Sequence, residues 1–245
     1  MEIITDNTTV FQDIINTRRS VRIFDQEENF DHDAVKRSLE MATLSPNSSN
    51  MQLWEFYRVI DQDKRDELSQ YCLRQSAART ARELVVVVTR QDKWKERCEM
   101  NFEFIKKQIG DKKDPKSLRA LDYYRKLMPM RYKEDPFRLL SLFKQVYTYF
   151  MGLKKPQMRE VSYTDARICV HKSAALGAMT FMYHMTAEGY DTCPMEGFDS
   201  KRVAKMLNLP KGAEINMVIG CGKGAEGGIY SERHRVPYEE VIKTV

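Results

Sequence analysis

Arg18-Arg19-Ser20-Val21-Arg22 places three guanidiniums and a hydroxyl within five positions. With Arg18, Ser20 and Arg22 alternating along the segment, it offers a fork-shaped array of donors suited to phosphate or another planar anion. A plainer account is also available: a solvated basic run at a helix end, where cations complement the negative end of the helix dipole. These five residues leave both accounts open.

The chain has 245 residues, 42% hydrophobic and 31% charged, which suits a soluble globular enzyme of one large domain or two small ones. The longest apolar stretch, near residues 174–183, contains a Gly and a Thr and falls short of the roughly 20 residues that span a bilayer, so no transmembrane helix is expected. The opening MEIITDNTTV carries two acids and no basic region, so no secretory signal and a cytoplasmic location are expected. Five cysteines (Cys72, Cys98, Cys169, Cys193, Cys221) are scattered without a CxxC or adjoining His pattern, and four histidines lie far apart. Reduced thiols and no metal site follow as expectations. The net charge of +5 is unevenly placed: residues 93–160 hold 18 Lys and Arg against 9 Asp and Glu, leaving 22 against 26 elsewhere.

Taken in order, Thr9 with Gln12 reads as the start of a first helix whose apolar face (Phe11, Ile14, Ile15) ends at the Arg cluster. Asp33 opens a second helix that stops at Ser45-Pro46. A polar loop, residues 46–52, runs into a strand over residues 54–60, rich in aromatic and β-branched side chains. Residues 62–82 read as helical, and the unbroken apolar run at residues 84–89 as a central strand covered on both faces. Residues 93–160 hold 11 of the 25 aromatics and read as a helical insertion broken at Pro115, Pro129, Pro136 and Pro156. Residues 163–188 form a long helix, apolar almost all round, whose Ala174, Ala175, Gly177 and Ala178 permit close packing. Gly189 ends it, residues 190–193 are a short strand, and Pro194-Met195-Glu196-Gly197 a tight turn before a small helix at 200–207. A buried strand at 215–220 precedes a glycine-rich turn and Arg233-His234-Arg235. With no repeat or low-complexity linker, residues 1–245 are expected to form a single domain carrying a lid-like insertion at about 93–160.

Gly222-Lys223-Gly224-Ala225-Glu226-Gly227 satisfies GxGxxG after a strand, but a dinucleotide fingerprint needs a helix and a second parallel strand beyond, and only a short tail remains. It reads as a surface turn. Loop 46–52, taken alone, is an ordinary polar loop.

The order and spacing of RRSVR, a helix, SPNSSNMQLW entering a strand, a buried Ala/Gly helix, CPMEGF and a late RHR are more specific than any member, and here the chain resembles the nitroreductase family of FMN-dependent oxidoreductases. The resemblance covers nearly the whole length except residues 93–160. It implies an α+β nitroreductase-like fold, with a central mixed, mainly antiparallel sheet flanked by helices, in an intertwined homodimer with two shared sites. It also implies that Arg18, Arg19, Ser20 and Arg22 reach the FMN phosphate, ribityl oxygens and pyrimidine edge, with Arg233 and Arg235 completing the phosphate site. Pro46, Asn47, Ser48 and Asn50 match a loop laid across the partner's flavin, and Met195, Glu196 and Gly197 a turn covering one flavin face near N5. Gln52 and Gln75 sit where the family often has polar flavin or loop contacts.

The residue types agree with that chemistry, because reduced FMN needs fixed cations at its phosphate and N1–C2=O edge more than acids or bases. No catalytic triad is expected. The activity implied is ping-pong transfer of hydride from NADH or NADPH through flavin N5 to an electron-poor planar acceptor, a nitroaromatic, quinone or enone. Two rivals stand beside it: reductive dehalogenation within the family, and binding of an acidic partner such as RNA through the basic, aromatic insertion. In the lid reading, Tyr123, Tyr124, Phe143, Tyr147 and Phe150 supply an apolar wall for a flat ring, the plainer account being that they hold the insertion's helices together.

Overall fold

The computed structural model of the chain describes residues 2–112 and 114–245. Its centre is β2 (Glu83–Arg90), buried at all eight positions. A strand apolar on both faces needs cover on both, and each fully buried valine is worth about 1.5–3 kcal/mol over its exposed state. β1 (Trp54–Val59) pairs antiparallel with β2 on one side, and β4 (Ala213–Gly222) on the other. β3 (Asp191–Met195) completes the order β1-β2-β4-β3. All four strands are antiparallel, and the isolated bridge Ser20–Thr192 adds a parallel contact.

One face of the sheet carries Leu84, Val86 and Val88, packed with Leu68 and Cys72 around α3 (Gln62–Tyr71), Ala77 and Ala78 of α4 (Ser76–Thr80), and Val203 of α10 (Ser200–Met206). The other carries Val85 and Val87 against Val35 and Leu39 of α2 (His32–Ala42) and Ala174, Ala178 and Phe181 of α9 (Tyr163–Ala187). The small residues of α9 thus serve its own chain's core: a Cβ on Gly177 would lie 3.2 Å from the Phe56 ring. Glu83 anchors one end of β2, its fully buried carboxylate accepting from Arg58 Nε at 2.6 Å and Nη2 at 3.0 Å, with His32 Nδ1 at 2.6 Å.

Several boundaries differ from the sequence expectations. α1 (Glu2–Thr17) begins ahead of Thr9, which lies inside it, since neither Gly nor Pro interrupts residues 2–17. The cap of α2 is Asp31, whose side chain accepts from Asp33 N at 2.8 Å, rather than Asp33 itself. Residues 62–82 are two helices separated by a turn in which Leu73 and Arg74 take φ of 57° and 54°. β3 runs through Pro194 and Met195, so the turn starts two residues later, at Glu196; Pro194 is tolerated because β3 is an edge strand of this sheet.

Residues 93–160, expected to be an insertion, are helical, with α5 (Trp94–Ile109), α6 (Pro115–Asp122), α7 (Met128–Tyr132) and α8 (Leu139–Gly152). Pro129 does not break the helical run. The chain stays helical from 115 to 132 through a π turn at Tyr123–Leu127, where Met128 N bonds Tyr123 O and the missing Pro129 N–H is absorbed. Ser162 caps α9 with a reciprocal box to Asp165. A C-terminal arm follows β4 and includes α11 (Tyr238–Val241).

Candidate functional site

The RRSVR segment leaves α1 and is clamped on both sides. Val21 N donates to Thr192 O at 3.3 Å on β3, and Arg22 N to Gly228 O at 2.7 Å in the glycine-rich turn. Val21 is buried in the core as a peg, leaving Ser20 and Arg22 partly exposed on either side. The C-terminal arm closes the arrangement. Arg233 Nη2 donates to the carbonyls of Ile15, Asn16 and Arg18 at 3.3, 2.9 and 2.7 Å, and Arg19 Nη2 to Ser231 O at 2.6 Å. Arg235 donates to His234 O.

Arg233 therefore also does what the plainer account requires, satisfying carbonyls at the negative end of α1. Arg18 is different. Its burial holds its pKa below the ordinary arginine range, and the neighbouring charges of Arg233, Arg235 and Arg19 add to this against an opposing effect of Tyr183. Among the described residues, none of Arg18, Arg19, Arg22, Arg233 or Arg235 forms an ion pair with a carboxylate. A partly desolvated cluster of like charge is stabilised by a bound anion. The donor set fits a phosphate, and hence the phosphate end of FMN.

Next to this cluster, β3 ends at buried Met195, followed by exposed Glu196 and Gly197. Gln75 Nε2 donates to Gly197 O at 2.8 Å and to Cys72 O at 3.0 Å, so the left-handed turn at 73–74 places an amide that fixes the 195–197 turn. Gln75 is a loop contact, one of the two roles open to it.

Loop 46–52 is tied to α5, α9 and itself by hydrogen bonds. Asn47 Oδ1 accepts from Gln52 N at 2.8 Å, and Ser48 N donates to Ser173 Oγ on α9 at 3.2 Å. Asn50 and Asn101 of α5 form a reciprocal pair, Asn50 Nδ2 to Asn101 Oδ1 at 3.1 Å and Asn101 Nδ2 to Asn50 O at 2.9 Å. Gln52 Nε2 reaches only the Asn50 carbonyl and side-chain oxygens, at 3.4 and 3.3 Å. Pro46 is exposed. Ser49, Asn50 and Gln52 all take left-handed φ (56°, 49° and 47°), each a local cost on the order of 1 kcal/mol for a non-glycine residue.

Sequence reasoning missed what holds that strain. Tyr123 OH lies 2.6 Å from Ser49 Oγ, and Tyr124 OH donates to Ser49 O at 2.9 Å. Adjacent residues reach the same serine from within the π turn, for which Pro129 was the available signal. Of the expected apolar wall, Tyr123, Phe143 and Tyr147 line a pocket of about 720 Å³ that also touches Ser48 and Ser49. Tyr124 faces the loop backbone, and Phe150 is exposed, packed edge-on to Tyr149 at 5.4 Å.

One chain brings the predicted residues together in two groups. Arg18, Arg19, Ser20, Arg22, Met195, Glu196, Gly197, Gln75, Arg233 and Arg235 gather around β3 and the ends of α1 and the arm, while Pro46, Asn47, Ser48, Asn50 and Gln52 pack between α9 and the insertion. No hydrogen bond or ion pair among the described residues joins the two groups. Thiol chemistry has no place in either: burial pushes Cys72 up to about 12, and raises Cys193 and Cys221 as well.

The sequence model described as "Nitroreductase family" matches residues 15–223. A Bacillus subtilis protein assigned as the NAD(P)H nitroreductase MhqN is 24% identical over 234 residues, covering 95% of this chain and 98% of that one. Among solved structures, the Bacillus subtilis protein ydfN, assigned as a nitroreductase, superposes with a TM-score of 0.73 at 22% identity, covering 97% of this chain and 100% of the other. An Exiguobacterium sibiricum protein assigned as a nitroreductase and solved in complex with FMN gives 0.68 at 20% identity, covering 96% and 97%. These likenesses establish a shared fold, and the family match over most of the length establishes that this chain belongs to the nitroreductase family, FMN-type NAD(P)H oxidoreductases.

Proposed function

We propose that the protein is a homodimeric, FMN-dependent enzyme that uses NADH or NADPH to reduce electron-poor planar acceptors, with each flavin site shared between two subunits. The observation that carries this is the partly buried Arg18 among Arg19, Arg233 and Arg235, a cationic site in which no arginine forms an ion pair with a carboxylate among the described residues. Arg18, Arg19 and Arg235 would hold the phosphate, Ser20 the ribityl chain and Arg22 the pyrimidine edge, with Arg233 joining α1 to the arm. When bound, FMN supplies the hydride relay from nicotinamide to acceptor. The 195–197 turn, fixed by Gln75, would cover one face and leave the other for nicotinamide and acceptor in alternation.

The dimer reading draws support from the separation of the two residue groups and from apolar surface left open on one chain. Val10 and Phe11 on α1 and Val236 on the arm are about half exposed, and Tyr230, Tyr238, Val241 and Ile242 on the arm about two-thirds. A subunit interface would cover such surface. In that assembly loop 46–52 of one subunit would lie on the other's flavin, and its strained, tyrosine-braced backbone would be preorganised for that contact.

Anaerobic titration of the purified protein with NADH and NADPH, followed by nitroaromatic, quinone and enone acceptors, tests the reading. Bleaching of a non-covalent flavin, parallel double-reciprocal lines and a dimer by light scattering are the expected results. A stable FMN-loaded monomer, or flavin that neither nicotinamide reduces, contradicts it.

A further inference from the structure

The pocket of about 720 Å³ between Ser48-Ser49 and the insertion is within the size range of small-molecule sites. Its wall is chiefly apolar, with Leu127, Met130, Phe143, Tyr147 and Met158 prominent, and its flexible methionines adapt to varied shapes. Two cations line it, Arg131 and Lys144, and no Asp or Glu does.

Neither cation forms an ion pair among the described residues. Arg131 Nη1 donates to Met158 Sδ at 3.6 Å and reaches Glu160 O at 3.5 Å, the guanidinium also acts on the neighbouring Tyr132 hydroxyl, and its buried Nε has no partner among the described residues; every one of these partners is neutral. Lys144 Nζ donates to the Met130 carbonyl. The nearby carboxylate of Asp135 is already engaged at the start of α8, accepting from Leu140 N at 3.2 Å and Ser141 N at 2.5 Å. Burial lowers the Lys144 pKa, an effect Asp135 opposes and Arg131 reinforces, as expected for a cation short of counter-charge. Cations held over apolar surface with only neutral partners are stabilised by an anion carried on an apolar body.

We propose that this pocket binds an apolar molecule carrying a carboxylate, with Arg131 and Lys144 at its anionic end. The apolar wall disfavours the ribose and phosphates of a nicotinamide dinucleotide as the occupant. Its role as acceptor site rests on the reading under which loop 46–52 lies beside a flavin, since Ser48 and Ser49 belong to both pocket and loop.

Calorimetry with 6-phenylhexanoate and 6-phenylhexan-1-ol on the purified protein, with its FMN content recorded, tests the proposal. The carboxylate is expected to bind roughly tenfold or more tightly than the alcohol, the scale of one charge-assisted hydrogen bond. Arg131→Gln and Lys144→Gln should each reduce that preference without weakening the alcohol, while Arg131→Lys and Lys144→Arg retain most of it. Equal affinity for the two probes, no binding of either, a preference intact in both Gln variants, or displacement of the carboxylate by 2′,5′-ADP overturns it. A protein that shows the preference but carries no FMN supports the pocket and refutes the flavin reading, so the two failures are distinct.

Discussion

Arg233 donates a hydrogen bond to the backbone oxygen of Arg18 at 2.7 Å, joining the C-terminal arm to the end of the first helix. The contact brings a second cation to Arg18 and so raises the charge density that an anion would answer. Arg233→Ala should free the arm and expose the Ile15, Asn16 and Arg18 carbonyls; Arg233→Lys, with charge but no planar fork, should be intermediate. Hydrogen exchange resolved to residues 229–236 should quicken in that order. Unchanged protection in Arg233→Ala shows that the arm is held by something else.

Glu83 is the most exacting structural position outside the site. Its fully buried carboxylate faces Arg58 and His32, so Glu83→Gln leaves a guanidinium with little compensation and should cost about 3–5 kcal/mol. Replacing both partners, Glu83→Leu with Arg58→Met, should recover much of that loss. Denaturant unfolding of the three variants measures it, and a Glu83→Gln loss below about 1 kcal/mol contradicts the account.

The tyrosine pair makes a separate test of the loop. Tyr123→Phe and Tyr124→Phe each remove a hydroxyl bonded to Ser49 and should cost about 0.5–1.5 kcal/mol, keeping the rings in place. Because the loop is strained at Ser49, Asn50 and Gln52, the double variant should also loosen FMN if the loop covers a partner's flavin. Stability lost with FMN affinity intact would remove the loop from the flavin site.

Glu214 gives a pH dependence of known sign. Arg167, bonded through Nε at 2.7 Å, holds its carboxyl below the ordinary glutamate range, aided by His171 and opposed by burial. A lowered folded pKa stabilises the protein above the unfolded value, about 4.3, and the contribution disappears as pH falls through the folded one. The stability gap between wild type and Glu214→Gln should therefore narrow on acidification below about pH 4.3. A gap that widens there has the wrong sign.

The sheet was legible because its signals are local. The apolar run at 84–88, four of its five residues β-branched valines, reads as a doubly covered strand, and Gly189 ends α9 with a φ of 82°. Long-range contacts set what was not legible. Nothing near Pro129 in sequence says that the chain absorbs it in a π turn, and nothing near Ser49 says that two tyrosines some 75 positions away hold its backbone. The RRSVR cations stand together in sequence, yet the use of Arg233 as a cap for α1 depends on where the arm returns.

The phosphate site is tested most directly by comparing FMN with riboflavin, which differ by the phosphate alone, on apoprotein of wild type, Arg18→Ala and Arg235→Ala. Wild type should prefer FMN by roughly tenfold or more, and each substitution should remove most of that preference while changing riboflavin affinity little. Equal affinity of wild type for the two flavins, or a preference untouched in both variants, would mean that this arginine cluster does not hold the phosphate.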